Sequence, residues 1–309
     1  MAGKNLICVQ TGNWYDKRFG GDAHADEAFA FIKSCGFDAV DFNIDQTMNA
    51  GLISRGERNT FYDAPLEELL ELYRPVREAA LRHGVAISSG HGLFPMIIDG
   101  KDDLNDYIIM ATEKIIAIMA YIGCHALIVH PACRNDKAHE WEINMAMYRR
   151  LIPAAKQYGV KICLENIPSH NGHHVVMGCC CDVQEACRYI DTLNAEAGED
   201  IFGFCFDIGH ANNTCRILSN DIRTLGKRLT TLHIHDNDAA SDLHLIPYTQ
   251  KRGAVDWEDF IAGLRDIGYE GALNFETFAG VDLVPQEIGE AALRFIAAIG
   301  RYFASRLDA

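Results

Sequence analysis

The sequence predicts one α/β domain that folds as a closed parallel (β/α)8 barrel. Eight short apolar segments alternate with helical patterns along the 309 residues, and such alternation is typical of a parallel sheet. The chain is long for an ordinary domain, but eight strand–helix units need about 250 residues. No segment has the composition of a linker or a low-complexity region, so we expect a single domain over residues 1–309.

The predicted strands are short runs rich in β-branched, aromatic and small apolar residues. In chain order they are Leu6–Val9, Ala39–Phe42, Ala86–Ser89, Ala126–His130, Lys161–Leu164, Gly203–Phe206, Thr230–His233 and Ala272–Phe275.

Helical patterns separate the strands, and most of them end at a glycine that can adopt the left-handed C-cap conformation. They are Ala25–Cys35, Leu66–His83, Asp103–Ile122, Met145–Tyr158 and Phe260–Ile267. The longest loops follow strands 2, 5 and 7, on the face where barrel enzymes carry their active sites. These loops are Asn43–Asp63, Asn166–Asp182 and Asp236–Val255.

Composition and charge favour a protein that acts on small molecules. The net charge is −15, from 43 acidic and 28 basic residues, which disfavours binding to nucleic acid or to an anionic membrane. The chain has no run of 18 uncharged apolar residues, so we expect no membrane span. Several of the eleven cysteines lie in predicted strands, which indicates reduced thiols in a cytoplasmic protein. A homo-oligomer is compatible with the sequence.

Four residues with metal-binding side chains stand at the ends of four successive predicted strands: Glu165, Asp207, His233 and Glu276. In a parallel barrel these strand ends open onto one mouth. Three carboxylates packed there without a cation would repel one another strongly. The sequence therefore predicts one divalent metal, with Mn²⁺ as the first choice and Mg²⁺, Co²⁺ and Zn²⁺ as alternatives.

Further residues with ligand-type side chains crowd the same predicted face: His91, His130, His210, Asp242 and His244. Each histidine alone is equally consistent with a hydrogen-bonded core residue. Together they predict a polar pocket that handles protons.

Several short motifs accompany these residues. They are Val129-His130-Pro131, Leu164-Glu165-Asn166, Phe206-Asp207-Ile208-Gly209-His210-Ala211, Leu232-His233-Ile234-His235-Asp236, Val255-Asp256-Trp257 and Gly268-Tyr269 running into Phe275-Glu276. In order and spacing the chain resembles the xylose-isomerase-like TIM barrel superfamily. That superfamily holds the sugar phosphate isomerase/epimerase family and is related to the endonuclease IV family.

The resemblance implies a metal-dependent sugar or sugar-phosphate isomerase or epimerase. By this resemblance Glu165, Asp207, His233 and Glu276 are the metal ligands, and Glu165 and Glu276 are also the acid/base pair. The reaction would remove a proton next to a carbonyl and pass through a metal-bound enediolate. His210 is expected to act in catalysis by contacting substrate oxygens, and further contacts with the sugar are expected from His91, His130, Trp14, Asn166 and His244.

The sequence departs from the ketose epimerases in two places. They carry an arginine shortly after the strand-7 histidine, whereas the segment 236–241 has none. They also carry a second glutamate after the strand-5 ligand, where this chain has Pro168-Ser169-His170-Asn171. The sequence therefore does not single out 3-epimerisation of a free ketose.

Two other functions stay open on the same barrel. One is a metal-dependent lyase or deglycosidase acting on keto-sugar glycosides, with His130 or His210 as base. The other is an endonuclease IV-like phosphodiesterase with several zinc ions, which the excess of acidic residues opposes. Its ligand set matches His91, His130, Glu165, Asp207, His210, His233, Asp242, His244 and Glu276.

Overall fold

The computed structural model describes residues 4–12, 14–19 and 21–308. The ends of the predicted 1–309 domain, residues 1–3 and 309, lie outside this description. Within the described residues, eight parallel strands form the barrel in the order β10-β1-β2-β3-β4-β5-β8-β9. They are β1 (Ile7–Gln10), β2 (Ala39–Asn43), β3 (Ala86–His91), β4 (Ala126–Ile128), β5 (Lys161–Glu165), β8 (Phe202–Asp207), β9 (Leu229–His233) and β10 (Leu273–Phe275).

Strands β9 and β10 close the barrel through one bridge. The backbone N–H of Ile234 donates to the carbonyl of Asn274 at 2.8 Å, and the N–H of Glu276 donates back to Ile234 at 3.1 Å. The eight predicted strands match the eight barrel strands to within two residues at each end, so the (β/α)8 prediction is confirmed.

Helices cover the outside of the barrel and short helices line its upper rim. The α-helices are α1 (Tyr15–Phe19), α2 (Ala25–Ser34), α3 (Ala50–Ser54), α4 (Leu66–Leu72), α5 (Arg74–His83), α6 (Asp102–Ile122), α7 (Lys137–Tyr158), α8 (Val183–Ala197), α9 (Ile208–Asn213), α10 (Leu218–Leu225), α11 (Trp257–Asp266), α12 (Phe278–Asp282) and α13 (Gly289–Leu307). Short 3₁₀ turns occupy Asp22–His24, Ile44–Met48, Phe61–Asp63, Gly226–Arg228 and Gln286–Ile288. No described helix has the length and apolar character needed to cross a membrane.

The glycine caps predicted from the sequence are present. Gly84, Gly123 and Gly159 follow α5, α6 and α7 in the left-handed conformation, with φ of 60°, 88° and 65°. A side chain at such a φ is strained, so glycine lets each helix end and turn directly into the next strand.

Three features of the chain differ from the prediction. The helix predicted over Met145–Tyr158 begins eight residues earlier, at Lys137, where the side chain of Asp136 caps its first turn. The segment Leu66–His83 forms two helices that meet at Tyr73, because Pro75 has no N–H to continue the first helix. The loop after β5 contains an antiparallel hairpin of β6 (Ser169–Asn171) and β7 (His174–Val176). Its residues are mostly polar, so the sequence carries no apolar alternation that would mark strands.

Along β5 and β8, the side chains that face the barrel interior are thiols first and predicted metal ligands at the carboxyl ends of the strands. Side chains alternate along a strand, so Cys163 lies on the same face of β5 as Glu165, and Cys205 on the same face of β8 as Asp207. Both cysteines are fully buried in a small cluster with Ala126 and Ile128. This apolar cluster fills the barrel interior next to the strand ends, and the polar groups follow at the strand ends themselves.

The final helix, α13, packs its aromatic face against the barrel wall. Phe303 is fully buried, and its ring lies 5.5 Å from Trp257 and 6.2 Å from Phe275 between centroids. Phe275 belongs to β10, directly before Glu276, so this packing also fixes the backbone of a predicted ligand.

We predict that Phe303→Ala lowers the free energy of unfolding by about 3–5 kcal/mol, because it removes a fully buried ring. Phe295→Ala is the matched control, since Phe295 lies on the same helix and is 49% exposed. It should change the free energy of unfolding by less than about 0.5 kcal/mol. Urea unfolding of the two variants checks this, and equal losses would contradict the packing described.

Candidate active site

The four predicted metal ligands converge at the carboxyl ends of the strands. Glu165, Asp207 and His233 are the last residues of β5, β8 and β9, and Glu276 directly follows β10. All four residues are almost fully buried, with exposures of 1%, 0%, 0% and 5%. We call these four residues the quartet.

The quartet is arranged around one ring nitrogen. The Nδ1 atom of His233 lies 3.3 Å from Oε1 of Glu165, 3.1 Å from Oε2 of Glu276 and 3.9 Å from Oδ2 of Asp207. The three carboxylates therefore share one small volume inside the barrel mouth.

Burial and mutual repulsion govern the charges of these carboxyl groups. Burial raises the pKa of Glu276, and with the repulsion of Glu165 and Asp207 and against the attraction of His233 it reaches about 8. Burial also opposes ionisation of Glu165, but the charges and hydrogen bonds of His233 and His130 hold its pKa well below the usual range. The buried carboxyl groups of the site thus repel one another more strongly than the neighbouring histidines offset.

Such a donor set fits a divalent ion. Two glutamates, one aspartate and one imidazole supply hard oxygen ligands and a borderline nitrogen, the combination used for Mn²⁺ and related ions. A fully buried aspartate supports the histidine from behind. Oδ2 of Asp41 lies 3.3 Å from Nε2 of His233 and also accepts a hydrogen bond from Asn274 at 3.1 Å.

A carboxylate behind a metal-binding histidine fixes the ring orientation and increases the basicity of the ligand nitrogen. Asp41 lies in β2, which pairs with β1 and β3. The sequence analysis missed it. The available signal was an acidic residue inside the otherwise apolar run Ala39–Phe42.

Asn166 connects two strands beneath the site. Its amide donates to the carbonyl of Asp207 at 2.8 Å, and its side-chain oxygen accepts from the N–H of Asp207 at 2.8 Å. Its own backbone carbonyl accepts from Nδ1 of His210 at 2.8 Å. The side chain of Asn166, predicted as a substrate contact, thus holds Asp207, and its backbone carbonyl holds His210.

A second group of ligand-type side chains surrounds Asp242. His210, His235, Asp242 and His244 each place one ring nitrogen or carboxylate oxygen within 4.8 Å of the others. Oδ2 of Asp242 lies 3.3 Å from Nε2 of His210 and 3.1 Å from Nε2 of His244. The sequence analysis did not assign His235, although its position two residues after His233 places both on one face of the strand.

The charges in this second group stabilise one another. Hydrogen bonds from His210 and His244 hold the pKa of Asp242 far below its usual range, although burial opposes this. Burial disfavours the cationic form of His210, yet the neighbouring charges of Asp207 and Asp242 raise its pKa to about 10.

The loop that carries Asp242 and His244 is held by Asp236, which is fully buried. Its carboxylate accepts hydrogen bonds from the backbone N–H groups of Asn237, Tyr248 and Val255.

A third group lies on the other side of the quartet and shares one of its members. His91, His130 and Glu165 also place one donor atom each within 4.8 Å. Nε2 of His130 lies 2.9 Å from Oε2 of Glu165, and the ring of His91 stacks on that of His233 with centroids 5.6 Å apart. Burial and the neighbouring His130 lower the pKa of His91.

Members of all three groups line a cavity of about 620 Å³, a size suited to a small organic molecule. No lysine or arginine is among the described residues that line it. The lining residues are Gln10, Gly12, Asn43, Asp45, Gln46, His91, Phe94, His130, Glu165, Ile167, Pro168, His170, His210, Asp242, His244, Glu276 and Phe278.

The predicted contacts His91, His130 and His244 therefore reach the cavity, and Trp14 and Asn166 do not. Trp14 is buried to one side, where its ring N–H donates to the carbonyl of Gln10 at 2.8 Å. Gln10 in turn donates from its side chain to Glu276. Trp14 thus supports a residue of the cavity wall from behind.

The family model for the xylose isomerase-like TIM barrel matches residues 29–299, and the chain belongs to this family. Among curated proteins, an uncharacterized protein of Methanocaldococcus jannaschii, MJ1311, is 30% identical over 164 residues. That match covers 50% of this chain and 51% of the relative. A second, the uncharacterized protein y4fM of Sinorhizobium fredii, is 36% identical over 85 residues, which are 28% of this chain and 26% of the relative. The chain thus spans about half or less of these relatives.

Solved structures share the whole fold at low sequence identity. A D-tagatose 3-epimerase-like protein superposes with a TM-score of 0.67 at 18% identity, over 98% of this chain and 100% of the other. The 3-keto-D-glucoside 4-epimerase YcjR from E. coli gives 0.68 at 18%, over 96% and 99%. An L-ribulose 3-epimerase gives 0.65 at 15%, over 98% and 96%.

We predict that Asp41→Asn weakens Mn²⁺ binding by about 10–100-fold, because it removes the carboxylate behind the ring of His233. Asp103→Asn on the exposed surface of α6 is the control and should bind Mn²⁺ as the unmodified protein does. Calorimetric titration of the metal-free proteins with Mn²⁺ measures both affinities. Unchanged affinity in Asp41→Asn would show that Asp41 does not support a metal ligand.

Proposed function

We propose that the protein is a divalent-metal-dependent sugar isomerase or epimerase that moves a proton at a carbon next to a carbonyl. One observation carries the proposal. Two buried glutamates, Glu165 and Glu276, approach the same nitrogen of His233 from different strands, at 3.3 and 3.1 Å, on the floor of one cavity. Two carboxylates so placed can remove a proton from one carbon and return one to the same or the neighbouring carbon.

Glu165, Asp207, His233 and Glu276 would hold the ion, with Mn²⁺ as our first choice and Mg²⁺, Co²⁺ or Zn²⁺ as alternatives. When bound, a divalent ion polarises a substrate carbonyl and stabilises the negative charge that develops on its oxygen. The fold family and the sugar epimerases that share this fold support the assignment.

The protein's own residues position the substrate around this centre. His210 presents Nε2 beside Asp242 at the cavity wall and can donate to a substrate oxygen when it carries its second proton. Gln10, Asn43 and Gln46 add side-chain amides to the opposite part of the lining. Phe94 and Phe278 lie next to His130 and His244 and limit access of water from the sides.

The small, uncharged donors of this wall suit the hydroxyl groups of a sugar. We further propose that the protein acts in the cytoplasm, alone or as a homo-oligomer, and binds neither nucleic acid nor membrane.

We predict that Glu165→Gln and Glu276→Gln each lower turnover by about 100-fold or more, the scale expected when a general acid or base is lost. Turnover is measured as deuterium incorporation at carbon during incubation with a panel of ketoses and aldoses in D₂O. Glu270→Gln is the control, because Glu270 is exposed on the opposite end of the barrel and pairs only with Lys4 among the described contacts. Near-normal exchange in either active-site variant would refute the proton-transfer role of that residue.

A second candidate is a hydrolase of phosphodiesters with several metal ions, which one observation favours. Two further ligand groups flank the quartet, and Glu165 belongs to both the quartet and the group with His91 and His130. Adjacent ions that share a carboxylate can activate water and stabilise a leaving oxygen. The net charge of −15 and the cavity lining without lysine or arginine oppose a polyanionic substrate.

The two candidates predict different metal stoichiometries. The isomerase requires one tightly bound ion per chain, whereas the hydrolase requires two or three. Elemental analysis after dialysis against Zn²⁺ or Mn²⁺ counts the ions. Two or three ions per chain together with cleavage of an abasic-site oligonucleotide would favour the hydrolase over the isomerase.

A further inference from the structure

A second recess adjoins the cavity of the active site. It has a volume of about 400 Å³ and lies between the loop after β4 and the hairpin β6–β7. We call it the hairpin groove. Its lining residues are Cys133, Arg134, Asn135, Lys137, Ser169, His170, Asn171, Val176, Met177 and Gly178.

The two recesses meet at one side chain. His170 lines both the main cavity and the hairpin groove. It is exposed, and it lies on β6 between Ser169 and Asn171, which line only the groove. The two recesses are therefore neighbours, and a ligand long enough to pass the imidazole of His170 would contact both.

We propose that the hairpin groove is a subsite for a second, uncharged polyhydroxylated ring, so that the preferred substrate is a sugar that carries a glycosidic substituent. This inference rests on the proposed function, because it extends the substrate of that same site. It assigns a role to the hairpin, which the chemistry at the quartet does not use.

The composition of the groove suits a sugar ring. Asn135, Ser169 and Asn171 offer uncharged side-chain donors and acceptors for hydroxyl groups. Val176 and Met177 are 37% and 45% exposed and give the groove an apolar strip. A pyranose ring has hydroxyl groups at its rim and C–H groups on its faces, and such mixed linings recognise it.

The cations of the groove are already neutralised, which argues against an anionic group such as phosphate. Nη2 of Arg134 pairs with Asp99 at 2.5 Å. Nζ of Lys137 pairs with Glu140 at 2.7 Å and lies 3.5 Å from Glu185. These three acids compensate the charge of the groove without lining it, so the groove offers hydrogen bonds rather than net positive charge.

A substitution that fills the groove tests the inference. Asn171 is exposed, and tryptophan suits an extended strand, so Asn171→Trp should fold normally while obstructing the groove. His173→Trp is the matched control, because His173 is an exposed residue at the turn of the same hairpin and lines neither recess. The probes are D-fructose, the glucosyl-fructoses isomaltulose and maltulose, and D-fructose 6-phosphate.

Binding is measured by calorimetry, which does not depend on turnover. We expect at least one glucosyl-fructose to bind tenfold or more tightly than fructose. Asn171→Trp should remove this advantage and leave fructose binding unchanged, and His173→Trp should change neither. Equal affinity for fructose and both disaccharides, equal weakening of all sugars by Asn171→Trp, or preference for the phosphate would each overturn the inference.

Deuterium exchange with the same four sugars separates this inference from the proposed function. Exchange on fructose with no binding advantage for a disaccharide would refute the subsite and keep the isomerase. A disaccharide advantage that Asn171→Trp removes, without exchange on any of the four sugars, would keep the subsite and count against the isomerase.

Discussion

The burial of three carboxylates around one imidazole is the constraint on which the rest of the structure depends. Glu165, Asp207 and Glu276 come from three different strands and meet at Nδ1 of His233. Buried like charges at this distance are costly unless a cation or hydrogen bonds compensate them. Much of the surrounding polar structure can be understood as that compensation. Asp41 orients His233, and Asn166 fixes the backbone of Asp207.

The barrel makes this concentration of charge tolerable by separating it from the apolar layers. Large aromatic residues such as Phe204, Phe206 and Phe275 point outward from the same strands and pack beneath the helices. The inward positions below the quartet are the thiols of Cys163 and Cys205 together with Ala126 and Ile128. Stability is thus concentrated between strands and helices, and the mouth of the barrel is free to carry groups selected for chemistry.

The parts of this arrangement that follow from local pattern were predictable from the sequence. Short apolar strand runs that alternate with helical patterns, and glycine caps at Gly84, Gly123 and Gly159, predicted the barrel, and the strand ends predicted the quartet. The rest depends on contacts between distant segments. Asp41 is 192 positions from its partner His233. Its place inside an apolar run indicates burial, but no local pattern indicates which residue it supports. The buried position of Trp14 beside Gln10 and the hydrogen bonds of Asn166 likewise depend on tertiary packing. The sequence alone suggested a sugar contact for both residues.

The hydrogen bond from His210 to the carbonyl of Asn166 determines which ring nitrogen of His210 can gain or lose a proton. A carbonyl oxygen can only accept, so Nδ1 of His210 always carries its hydrogen. Any proton that this imidazole gains or loses must therefore travel through Nε2, the atom beside Asp242. The ring is therefore held in one tautomer by the backbone of Asn166, which directly follows β5, and not by the ligand that enters.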